Sequence, residues 1–134
     1  MTEEQTTAAR RLLPGDALGW LQQAVDHTQG THRLEDVLAS VARGETQLWI
    51  GKGCVGVTEF INFPAKRVLN VFLAGGDVRE LRDGLLPGVE AFARGGGASA
   101  IMFCGRLTDP ARSGWSRLFP DFQPHWTCMM KDFT

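Results

Sequence analysis

A run of ten residues, Val68-Leu69-Asn70-Val71-Phe72-Leu73-Ala74-Gly75-Gly76-Asp77, constrains the fold of this chain more than any other. Its first part is apolar nearly throughout and reads as a buried strand. Two glycines follow, and an aspartate then opens a stretch, 78–94, with helical spacing. A strand that passes through Gly-Gly into a helix start sets free backbone N–H groups at the mouth of the helix, which can hold a phosphate or another anion. The same features also make an ordinary tight strand-to-helix turn, because glycine supplies the dihedrals that a reversal needs. The residues of this run leave both readings open.

The flanking periodicity organises the rest. Asp16 caps a helix over 17–27 with Leu18, Leu21 and Val25 as its apolar stripe and Trp20 beside it. A second helix over 33–43 carries Leu34, Val37, Leu38 and Val41 on one face, and Gly44 stands where a C-terminal cap glycine belongs. The period then changes. Residues 46–51 and 54–63 read as strands joined at Gly51-Lys52-Gly53, and 67–73 as a third, central strand after the turn Pro64-Ala65-Lys66-Arg67. These three form an antiparallel meander. The helix over 78–94 is predicted to kink or restart at Pro87 and to end at Gly95-Gly96-Gly97. After this helical crossover, a strand over 98–104 pairs in parallel with 67–73. A short helix over 114–119 and a last strand over 125–133 complete the order α-α-β-β-β-α-β-α-β. That is an α+β domain with a mixed sheet and one central βαβ unit. Residues 1–15 read as an N-terminal extension, flexible or docked on a partner, and 16–134 as a single domain.

Composition narrows the function classes. With 134 residues, 43 % of them apolar and 22 % charged, the chain can bury a core without a metal or disulfide. A net charge of −1 provides no global field toward nucleic acid or an anionic membrane, so no specific nucleic-acid binding is expected. No apolar run approaches the roughly 20 residues that span a bilayer, and the N-terminus lacks the pattern of a signal peptide; no membrane insertion and a cytosolic location are expected. The three cysteines, Cys54, Cys104 and Cys128, are odd in number and sit in apolar strand-like runs, as buried free thiols do. His27, His32 and His125 lack metal-ligand spacing, so no metal site is expected.

The order of elements resembles the GNAT (Gcn5-related N-acetyltransferase) fold, and within it the small GNAT-like proteins of tailed bacteriophages. The residues that carry the likeness are Gln47-Leu48-Trp49, Val57-Thr58-Glu59, Leu73-Ala74-Gly75-Gly76, Phe92-Ala93-Arg94, Gly105-Arg106, Gly114-Trp115 and Met130-Lys131-Asp132-Phe133. The resemblance implies acetyl-CoA as cofactor, with its pyrophosphate held at the loop after Leu73 by the backbone of Leu73, Gly75 and Gly76, helped by Arg79. It implies a host-cytoplasmic or virion protein with phage or host proteins, or further copies of itself, as partners. Two departures bear on activity. The loop lacks the basic or amide residue that leads it in active members, and Asp77 brings a carboxylate to the helix start. The chain also contains no tyrosine, the usual general acid toward the CoA thiolate on the helix that here is Gly114-Trp115-Ser116-Arg117-Leu118-Phe119.

The remaining candidates follow from residue chemistry. Glu59 is a carboxylate in mid-strand, on the face opposite Thr58 and Phe60, and is the general-base candidate. Ser116 is the hydroxyl available where the tyrosine is missing. Arg106, Arg112 and Arg117 could hold a CoA phosphate or an acidic surface. Trp20, Trp126 and Phe133 are candidate interface anchors, whereas Trp49 and Trp115 read as core. Two functions are expected to compete: a catalytically degenerate GNAT-like protein that works by binding other proteins in phage assembly or in the virion, and an acetyl-CoA-dependent N-acyltransferase with Glu59 as base.

Overall fold

The computed structural model describes residues 15–28, 30–103, 118–123 and 130–133. Helix α1, Gly15–Asp26, turns Ala17, Leu21, Ala24 and Val25 inward. Helix α2, Leu34–Ala42, starts after an extended Arg33, whose N–H is capped by the Asp36 carboxylate at 3.2 Å. It ends at Gly44, whose φ of +77° makes it the expected C-terminal cap.

Strands β1 (Gln47–Ile50), β2 (Cys54–Phe63) and β3 (Lys66–Gly76) form the antiparallel meander, and β4 (Ala100–Phe103) adds in parallel to β3, giving the spatial order β1-β2-β3-β4. The crossover begins with a short helix α3, Val78–Glu80, widens into π-type turns over Leu81–Leu85, and restarts as α4, Leu86–Gly95, with Pro87 in its first turn. Proline lacks the N–H that a first-turn residue leaves unused, which is why the restart falls there.

Alternation along the strands divides the core into two layers. Val55, Val57 and Leu73 face α1 and α2, where they meet Leu21, Ala24, Val25, Leu34, Val37 and Leu38. On the other face, Leu69 packs with Val89 and Ala93, and Cys54 with Leu81 and Phe119. Midway along the β2–β3 pair, Val57 lies opposite Leu73 but Thr58 lies opposite Val71, so Phe72 is one residue too many on β3. This bulge bends β3 just past the last residue that pairs with β4, Val71 opposite Phe103.

Three expectations change. The central strand does not stop at Leu73 but runs to Gly76, because β2 offers partners as far as Cys54. Gly75 and Gly76 are therefore ladder residues and not a loop. The last strand, expected over 125–133, is not seen over 130–133, where Lys131 and Asp132 interrupt the apolar alternation and Phe133 is 94 % exposed. Its earlier residues, with His125, Trp126 and Cys128, lie outside the described residues, as do the 1–14 segment, Cys104, Trp115, Ser116 and the arginines Arg106, Arg112 and Arg117. Of the 114–119 helix only Leu118, which is helical, and Phe119 are described.

Candidate functional site

The strand-to-helix junction is built from close backbone approaches. A β-carbon on Gly75 would overlap the Trp20 carbonyl of α1, and one on Gly76 would overlap the Gly53 carbonyl and crowd the Cys54 Cα at 2.8 Å. Gly76 also has a φ of +89°, which only glycine adopts freely. The two glycines thus let α1 and the β1–β2 turn close over the end of β3.

The ladder decides which N–H groups remain for a ligand. The Asp77 N–H donates to the Gly53 carbonyl at 2.8 Å. From that phase, the antiparallel alternation puts the N–H groups of Leu73 and Gly75 inside the β2–β3 ladder. It turns those of Ala74 and Gly76 toward the opposite edge. Of the three backbone candidates, only Gly76 presents its N–H to that edge.

The helix mouth already holds a carboxylate. Asp77 is the N-cap of α3, and its Oδ1 accepts from the Arg79 N–H at 2.9 Å. The Arg79 side chain is exposed. Glu80 lies across the β1–β2 turn: β-carbons on Gly51 and Gly53 would come within 3.2 and 2.6 Å of its carboxylate oxygens. The negative potential here registers on the neighbouring Cys54 thiol, which burial foremost, and then the Glu80 and Asp77 charges, push up to about 11. Cys54 is a buried free thiol, as expected, and too basic to serve as a thiolate nucleophile at neutral pH.

Glu59 lies on β2 opposite Asn70 of β3, on the α1–α2 side of the sheet, and is half-buried. The Asn70 Nδ2 donates to Glu59 Oε1 at 3.2 Å. Asn70 and Gly75 are five residues apart on β3; at about 3.3 Å per residue the Glu59 pair stands roughly 16 Å from the junction. The two candidate regions share one sheet face without touching. The opposite face carries a partly buried polar chain: Trp49 Nε1 donates to Thr58 Oγ1 at 3.0 Å, and Thr58 Oγ1 donates to Gln47 Oε1 at 2.8 Å. Trp49 also stacks edge-on against Phe92 with ring centroids 5.5 Å apart, in the core role read from the sequence. Trp20 is partly buried against the α1–α2 layer.

Asn70 and Glu80 were not among the residues singled out by sequence. Asn70 had a signal, being the one amide in an apolar run. Glu80 had none, since its place over the turn depends on the folded approach of β1–β2 to α3. Among the described residues there is no cluster of His, Cys, Asp or Glu suited to a metal ion, and no helix is long and apolar enough to cross a membrane.

No family model and no curated protein sequence matches the chain. Solved structures match its fold. A point variant of TTHA1254 from Thermus thermophilus aligns at 16 % identity and a TM-score of 0.60, covering 91 % of this chain and 95 % of that one. The wild-type TTHA1254 aligns at 16 % identity with a TM-score of 0.57 and the same coverage. A probable acetyltransferase aligns over 100 % of this chain and 93 % of its own, at 12 % identity and a TM-score of 0.58. At such identities the likeness is one of fold: the chain has a mixed α+β fold like that of the probable acetyltransferase.

Proposed function

We propose that this chain is a GNAT-fold protein without a working acyl-CoA seat, which acts by binding other proteins in phage assembly or as a virion component. The observation that carries the reading is the Asp77 carboxylate on the Arg79 N–H, at the place where a diphosphate would need that same donor. A second anion there would meet both this charge and Glu80, and like charges at short range repel. The absence of tyrosine from the chain, and with it of the family's usual acid, supports the same reading.

Calorimetric titration with acetyl-CoA, and with free CoA in comparison, tests it. The expected result is no heat of binding up to millimolar ligand. Micromolar binding would overturn the proposal.

One observation favours a second reading, an acetyl-CoA-dependent N-acyltransferase. Glu59 is a half-buried carboxylate in the middle of the sheet, held in place by the Asn70 amide. Under it, the acceptor amine would attack the thioester carbonyl, Glu59 would take the amine proton, and the C–S bond would break to release CoA as its thiolate. The N–H groups turned to the free side of β3, with Arg79 and Ser116, would serve the cofactor. Glu59→Gln should then lower turnover about a hundredfold; unchanged turnover removes Glu59 from the role.

A further inference from the structure

We infer that Asn70 is a positioning residue for the Glu59 carboxylate, kept in the sheet at the expense of stability; this rests on the second, acyltransferase reading, in which Glu59 is the base. Asn70 occupies an internal strand position and is 4 % exposed, between the buried Leu69 and Val71. Asparagine is a poor strand former, and a β-branched apolar residue suits such a position better. Its amide is also only half satisfied. Nδ2 donates to Glu59 Oε1 at 3.2 Å, while Oδ1 is buried with no partner. An unpaired buried acceptor costs free energy that an apolar side chain would not incur.

Glu59 in turn has no ion pair among the described residues; those present there are Arg43 with Glu45, Arg82 with Asp83 and Arg94 with Glu90. Among the described residues, the Asn70 amide is the hydrogen-bond donor to this carboxylate and sets its direction. A sheet built for stability alone would carry apolar residues at both positions. Local choices that work against the fold collect where a chain uses its residues for something else.

Two measurements on the whole chain test the inference. In the double variant Glu59→Val/Asn70→Val both partners become strand-forming apolar groups, and Tm should rise by about 4 °C. A fall in Tm would show the pair to be a structural contact and overturn the inference. Independently, the Asn70 side-chain amide resonances in a nitrogen-15 correlation spectrum should move in Glu59→Gln, and no movement would overturn it as well. Failure of the underlying reading looks different: Glu59→Gln would leave turnover unchanged while the amide resonances still moved.

Discussion

The Trp20 carbonyl of α1 lies where a side chain on Gly75 would have to begin. A helix backbone resting directly on a strand backbone leaves no room for a methyl group, and neither partner can rotate away as a side chain could. Gly75→Ala should therefore destabilise the fold by about 3 kcal/mol, in the range of core overpacking. Urea unfolding measures it. A loss below about 0.5 kcal/mol, within the scatter of surface substitutions, would mean that α1 can lift from β3.

Gly76 adds a second constraint of a different kind. Its φ of +89° is strained for any side chain, and a β-carbon there would overlap the Gly53 carbonyl. Gly76→Ala should lower stability by about 2 kcal/mol or more through strain and overlap together. Gly76→Glu would disturb the junction in the same way, with or without a ligand. Amide hydrogen exchange across Gly53, Cys54 and Asp77 should report the disturbance, and unchanged protection there would refute it.

The element order as far as β4, the Gly44 cap, the restart at Pro87 and the parallel pairing of β4 were legible in the sequence, because each rests on periodicity or on the backbone limits of glycine and proline. The extent of β3 was not. Glycines weaken a strand signal, and only the opposing Cys54 and Val55 reveal that Gly75 and Gly76 stay in the ladder. The site was half legible. Glu59 stood out as a charge in a strand and Asp77 as a cap, but partners that meet across strands carry no local signature. Asn70 opposite Glu59 and Glu80 over Gly53 are both of that kind.

Thr58 links Trp49 and Gln47 beneath the crossover helix and is itself fully buried. Thr58→Val conserves shape but leaves the indole N–H and the Gln47 carbonyl without their partner. Removing one member of a buried hydrogen-bonded set exposes the others to their desolvation cost, so the loss should be about 2 kcal/mol. Denaturant melts of the two proteins measure it. A neutral outcome would show that Gln47 reaches Trp49 Nε1 directly.

Asp77 is the N-cap of α3, and the Arg79 N–H depends on it. Asp77→Ala should cost about 1 kcal/mol, the usual worth of such a cap. It should also speed hydrogen exchange at the Arg79 amide more than at amides of α4. Equal effects on both helices would place the loss in global stability and not in the cap.

Cys54 makes stability fall with pH in a defined window. Its thiol is pushed from an ordinary value of 9.0 to about 11, by burial first and by the Glu80 and Asp77 charges after it. Between those two values the folded chain holds a proton that the unfolded chain has released, so rising pH draws the equilibrium toward the unfolded state. The contribution is intact below pH 9 and is lost as pH climbs through about 11, amounting to on the order of 2 kcal/mol. Cys104 and Cys128 are present in both proteins, so the difference between wild type and Cys54→Ala isolates this thiol. The stability of Cys54→Ala, followed by urea unfolding at successive pH values, should decline less steeply than that of wild type across the window. Parallel curves would mean that the Cys54 thiol ionises as readily in the folded chain as in the unfolded one.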